Sequence, residues 1–256
     1  MAPVLQAPAH WRTVDFLSDV HLHASEAETF SAWQRYMAST SADALFILGD
    51  LFEVWVGDDV LDHPDQGRFW QDCVQVLRQT SQRMPVFFMV GNRDFLVGPR
   101  FLNLAGLTGL SDPTVFAWGE HRWLLSHGDA LCVADVAYQQ FREQVRQPTW
   151  IQAFLAKPLD ERLALALGMR QASEARKHAQ TEWADVDTPA ALAVTTANGC
   201  QRLIHGHTHL SAVHRLDARH QRHVLSDWDA RATPPRLQVL RAEQGHAPRP
   251  IGIENL

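Results

Sequence analysis

Five short segments each follow an apolar run: Asp19-Val20-His21, Gly49-Asp50, Gly91-Asn92-Arg93-Asp94, His127-Gly128-Asp129 and Gly206-His207-Thr208-His209. The runs before them, 13–18, 44–48, 86–90, 122–126 and 202–204, are rich in aliphatic, β-branched and aromatic residues and read as buried strands. Helix-like stretches at 26–39, 67–80, 99–105 and 188–198 separate them. Strands alternating with helices predict an α/β fold built in layers. In such sheets ligands gather beyond the carboxyl ends of the strands, which is where all five segments fall. Further strands are expected near 223–226 and 236–240, so the sheet is mixed.

A lone D-x-H or H-x-H triplet usually marks a turn or a satisfied surface histidine. Five complementary segments, each after a strand, predict a two-metal site instead. Two divalent cations ~3.5–4 Å apart repel unless a carboxylate lies between them, and Asp50 is read as that bridge. Asp19, His21 and His209 then complete one metal, and Asn92, His127 and His207 the other. Two carboxylates neutralise only half the charge of two such cations. The pocket therefore stays electropositive, which suits a phosphate and lowers the pKa of a bridging water. With no cysteine in the set, manganese, iron or zinc fits better than copper(I) or an iron–sulfur cluster. Asp94 and Asp129 are expected to hydrogen-bond the loops around the ligands, Asp58 and Asp59 to sit in a surface turn, and His205 to end a strand. His10, His23, His63, His121, His178, His214, His220, His223 and His246 lack a motif and are expected at the surface.

At 256 residues the chain reads as one domain with insertions. Cys73, Cys132 and Cys200 are scattered and odd in number, which fits a reducing cytosol and no disulfide framework. Residues 1–12 contain Pro3 and Pro8 and no apolar signal core, and no run approaches the ~20 apolar residues of a spanning helix. The expectation is a cytoplasmic protein that touches a membrane, if at all, at its surface. A net charge of −6 argues against nucleic acid as a partner. Between Arg202 and Arg249, however, eight arginines face four acidic residues, so a solvated face and attraction to anionic lipid headgroups both stay open. Residues 135–187 read as helical, cut into short helices by Pro148 and Pro158. The stripe of Trp150, Ile151, Phe154 and Leu155, continued by Leu159, Leu163, Ala166, Leu167 and Met169, serves either core packing or a lid over an apolar substrate.

In this order the five motifs resemble the calcineurin-like metallophosphoesterase superfamily. The resemblance implies a layered αββα sandwich over 13–245 with a helical insertion, 135–187, forming a lid. Arg93 stands where the superfamily commonly has a histidine. A guanidinium does not readily give up a proton, but it can fork two hydrogen bonds to phosphate oxygens, so Arg93 is expected to clamp phosphate. Together with 48–59, 91–96 and 127–132, and with Asp135-x-x-Tyr138-Gln139-x-Phe141-Arg142, this replacement resembles the UDP-2,3-diacylglucosamine hydrolase family of lipid A biosynthesis over about 13–240. That resemblance implies hydrolysis of a pyrophosphate by a hydroxide held on two metal ions, taken as Mn2+, to give UMP and 2,3-diacylglucosamine 1-phosphate. It also implies peripheral attachment to the cytoplasmic face of the inner membrane, with the insertion receiving acyl chains. Asp50, Arg93 and His207 become the catalytic set, and Asn92, Arg93, Asp135, Tyr138, Ser173 and His207 become substrate contacts. A family lysine expected before Asp185-Val186 has three candidates here, Arg176, Lys177 and His178, of which Lys177 is taken. Alternatives are a metallophosphoesterase with another phosphate substrate and a noncatalytic metal-binding scaffold. The oligomeric state is left open.

Overall fold

Every residue of Ala44–Leu48 is buried, which requires packing on both faces of that strand. Ala44, Phe46 and Leu48 enter one apolar cluster, while Leu45 and Ile47 enter another. The computed structural model that shows this describes residues 1–65, 67–179 and 185–255, the side chains of 170–179 and 255 excepted.

Twelve strands lie among the described residues: β1 (Val4–Gln6), β2 (Thr13–Leu17), β3 (Ala44–Leu48), β4 (Val86–Met89), β5 (Thr108–Leu110), β6 (Thr114–Trp118), β7 (His121–Leu125), β8 (Arg202–His205), β9 (Ala212–Arg215), β10 (Gln221–Val224), β11 (Gln238–Glu243) and β12 (Arg249–Gly252). They form two six-stranded sheets, ordered β12-β11-β2-β3-β4-β5 and β1-β6-β7-β8-β10-β9. Both are mixed, with β2, β3 and β4 mutually parallel in the first and β7 parallel to β8 in the second. The sheets face each other across an aromatic core in which Phe46 stacks on Phe16 at 4.9 Å and on Phe87 at 4.8 Å.

Helices α1 (Ala27–Ser39), α2 (Gly67–Ser81) and α3 (Pro99–Ala105) cover the outer face of the first sheet through Trp33, Trp70 and Phe101. Four further helices follow in chain order, α4 (Val136–Val145), α5 (Pro148–Leu155), α6 (Leu159–Ala179) and α7 (Thr188–Ala197); α7 packs on the second sheet's outer face through Ala191 against Leu124 and Leu203, whereas α5 and the start of α6 join the first cluster. The arrangement is an α/β sandwich of two sheets flanked by helices.

Several expectations change. After Pro158 comes one helix of 21 residues, α6, where short pieces were expected. The apolar stripe divides: Phe154 is buried and Trp150, Ile151, Leu159, Leu163 and Ala166 pack on the core, while Leu155, Leu167 and Met169 are exposed. His223 is not at the surface but buried in β10, and the side chain of His178 lies outside the described residues. Asp58 does more than shape a turn: it accepts from Trp55 Nε1 at 3.1 Å, Gly98 N at 2.9 Å and Phe101 N at 3.0 Å, tying that turn to the start of α3. Asp59 pairs with the buried Arg162. Among the described residues, five of the eight C-terminal arginines, Arg222, Arg231, Arg236, Arg241 and Arg249, have acidic partners, so much of that basic excess is neutralised within the fold.

Candidate metal centre

The carboxyl ends of β2, β3 and β4 on one sheet, and of β7 and β8 on the other, deliver the five segments to one place. Backbone hydrogen bonds carry the strand register past the strand ends: Asp19 N donates to Gly49 O at 3.0 Å, His21 N to Asp50 O at 3.1 Å and Gly206 N to His127 O at 2.9 Å. Asp19, His21, Asp50, His207 and His209 all have positive φ, between 51° and 67°. Backbone of this kind is uncommon outside glycine, and side chains are held there when the surrounding structure over-determines them. Gly91 and Gly206 make the crowding visible. A Cβ on the first would collide with the Asp50 carboxylate, and one on the second with Asp19 and Ser18.

Two carboxylate–imidazole trios, Asp19 with His21 and His209, and Asp19 with Asp50 and His127, each bring three ligand atoms within 4.8 Å of one another. Asp19 thus faces both, its Oδ1 lying 3.2 Å from His209 Nε2 while Oδ2 accepts from Ser18 Oγ and His207 N. Asp50 Oδ1 lies 3.7 Å from His127 Nε2 and accepts from Arg93 N. Asn92 joins the rest, with its Oδ1 2.8 Å from His207 Nδ1 and 3.0 Å from His127 Nε2. All seven ligand candidates therefore converge. His127 Nδ1 donates to Leu48 O at 3.0 Å, which turns Nε2 inward.

The electrostatics favour positive charge here. Burial lowers the His127 pKa, but Asp50, Asp19 and Asp129 outweigh it and push it up to about 9. Burial raises the Asp19 pKa, yet His209, His127 and His21 hold that carboxyl well below the usual range. His207 is driven the other way, down to about 3, by burial and by the neighbouring His127. Buried carboxylates crowded with imidazoles and an amide oxygen fit divalent cations, which would satisfy these charges without protons.

Around this centre Asp94 is buried and accepts from Gly91 N, Leu51 N and Asp50 N at 2.7, 2.9 and 3.3 Å, holding two ligand loops together; burial and Asp50 push its pKa up to about 7. Asp129, expected to hydrogen-bond the ligand loops, instead accepts from Tyr138 OH at 2.6 Å and Arg142 Nε at 2.7 Å, so its carboxylate anchors α4. Tyr138 in turn stacks on His207 with centroids 5.9 Å apart. Asp135 caps α4 by accepting from Tyr138 N at 2.9 Å. Ser173 and Lys177 fall on α6, but their side chains lie outside the described residues. Arg93 Nη1 donates to Glu53 Oε1 at 2.9 Å, a partner that sequence reasoning did not assign. Its only sequence signal is a carboxylate three positions after Asp50 among apolar neighbours.

Comparison with known proteins gives the family. Residues 12–211 match the family described as calcineurin-like phosphoesterase. The UDP-2,3-diacylglucosamine hydrolase of Chromobacterium violaceum is 43% identical over 84% of this chain and 90% of its own length. That of Chromohalobacter salexigens is 39% identical over 93% of this chain and 96% of its own. Among solved structures, an archaeal phosphodiesterase matches 93% of this chain and 98% of its own at 11% identity, with a TM-score of 0.45. The chain belongs to the calcineurin-like phosphoesterases and, within them, to the family of the UDP-2,3-diacylglucosamine hydrolases.

Proposed function

We propose that the chain hydrolyses the pyrophosphate bond of UDP-2,3-diacylglucosamine, releasing UMP and leaving 2,3-diacylglucosamine 1-phosphate. The observation that carries this reading is the convergence of seven hard and imidazole donors, five of them on left-handed backbone, in a chain of this family. Asp19, His21 and His209 would hold one divalent cation and Asn92, His127 and His207 the other, with Asp50 between them. When bound, the two cations supply Lewis-acid polarisation of phosphoryl oxygens and acidify water; manganese is the proposed metal.

Arg93 meets the phosphate through the part of its fork not tied to Glu53, stabilising charge that builds on the phosphoryl oxygens. Asn92 and His207 border the same phosphate, and His207 is kept in its orientation by the Tyr138 ring. Asp135, Ser173 and Lys177 contact the sugar end. The catalytic domain spans 13–245, and its insertion, 135–187, acts as the lid that takes the acyl chains. Exposed Leu155, Leu165, Leu167 and Met169 support that role, because apolar side chains facing solvent gain by meeting hydrocarbon. No helix among the described residues is long and apolar enough to cross a membrane. Attachment is therefore proposed as peripheral, on the cytoplasmic face of the inner membrane.

The test incubates the purified chain with UDP-2,3-diacylglucosamine and manganese and identifies the products by mass. UMP and the acylated sugar 1-phosphate are expected, none forming with chelator or with Asp50→Asn, whose circular dichroism should match the wild type. A wild-type chain that turns over some other phosphate ester but not this substrate would overturn the assignment.

A further inference from the structure

Glu53 lies in the turn after β3, fixed by its own N–H donating to Leu22 O at 3.2 Å and by Trp55 N–H donating to Arg93 O at 3.1 Å. Its side chain is only 9% exposed. An ionised carboxylate so placed is costly unless both oxygens are matched. Here each oxygen faces a different functional group: Oε1 lies 2.9 Å from Arg93 Nη1, and Oε2 lies 3.0 Å from His21 Nδ1.

Both contacts have a direction. The His21 Nδ1–Glu53 contact is a close charge pairing outside hydrogen-bond alignment, and it favours the proton on Nδ1, which leaves the Nε2 lone pair toward Asp19 and His209, whose ligand atoms are 3.9 and 3.3 Å away. A carboxylate behind an imidazole ligand fixes its tautomer and ring angle and raises its basicity. On the other side, the grip on Nη1 holds the planar guanidinium by one end, so the remaining N–H groups present a pre-aimed edge to an anion.

We propose that Glu53 is a positioning residue that orients the metal-binding imidazole of His21 and the phosphate-binding guanidinium of Arg93 with a single carboxylate. This rests on the reading of those two residues given above. Glutamine tests it well, because an amide offers one acceptor oxygen and one donor nitrogen. It can accept from Arg93 or from His21, and it sets N–H against N–H at the other.

The experiment uses the full chain, stripped of metal, as wild type, Glu53→Gln, Arg93→Ala and the double variant. Calorimetric titration with manganese reads the His21 side without any turnover. Glu53→Gln should weaken binding by about 10–100-fold in either background, the range typical of lost outer partners of metal ligands, whereas Arg93→Ala alone should leave it unchanged. On the manganese-loaded enzymes with UDP-2,3-diacylglucosamine, Glu53→Gln should raise KM several-fold, and that effect should shrink once Arg93 is already alanine, as expected for coupled neighbours. Wild-type manganese affinity in Glu53→Gln, or KM effects that simply add in the double variant, would overturn the proposal. A wild type that binds manganese yet releases no UMP would defeat the substrate assignment instead, leaving the calorimetric arm readable.

Discussion

The histidines of this chain diverge by surroundings. His127, ringed by three carboxylates, is pushed up to about 9, while His207, buried beside it, falls to about 3. Their candidacy as ligands was legible because aspartate, asparagine and glycine neighbours in the motif announced it. His223 had no such neighbour, and its place in β10 depends on strands far away in sequence. Both its ring nitrogens are buried without a hydrogen-bond partner among the described residues, and burial, aided by Arg202, lowers its pKa to about 4. Above pH 6.5 the ring is neutral both folded and unfolded. As pH falls below that value the unfolded chain takes up a proton that the folded one refuses until about 4, so stability is lost across this window, by up to about 3 kcal/mol. Urea unfolding midpoints should therefore drop between pH 7 and 4.5, and His223→Leu should flatten the drop; an unchanged slope in the variant would remove the argument.

At the scale of elements, the strands found in advance are the ones whose burial leaves a continuous apolar run. β1, β5, β9 and β12 span three or four residues and are largely exposed, so their sequences carry no period to detect. The β6–β7 hairpin does leave a signal, a glycine between two apolar runs, and the structure puts that Gly119 at φ 60° in the turn. The helical character of the stretch after Asp135 was legible, but its anchoring was not. Arg162, 2% exposed on α6, donates to Val56 O and to Asp59, and its Nε donates to Lys157 O at 3.0 Å. That clamp presses against Gly57, where a Cβ would collide with Arg162 Nη1 and Leu155 and where a φ of 128° already disfavours any side chain. Replacing Arg162 by alanine leaves the Val56 carbonyl unsatisfied, a cost of about 1–3 kcal/mol. Limited proteolysis should then cut within 155–187 several times faster than in the wild type; an unchanged cleavage rate would mean that this stretch is held elsewhere.

At the scale of the molecule, the candidate ligands come from both sheets: Asp19, His21, Asp50 and Asn92 follow strands of one, and His127, His207 and His209 follow strands of the other. Cation binding should therefore brace the whole sandwich. At a free manganese concentration a hundred times the dissociation constant the gain is about 2.7 kcal/mol, which for a chain of this size raises Tm by roughly 5–10 °C. Chelator should reverse the rise, and a Tm indifferent to manganese and chelator alike would argue that no cation joins the sheets. The sequence by itself determined the donor types, their place after buried strands and the layered α/β class, because each is a short-range matter of side-chain chemistry and residue period. Only the tertiary structure decided that Glu53 reaches two functional groups, that Asp129 docks α4, that the apolar stripe splits between core and surface, and that the C-terminal arginines are mostly neutralised. Those are contacts between segments brought together by burial, and no local pattern encodes which distant partner a buried charge will meet.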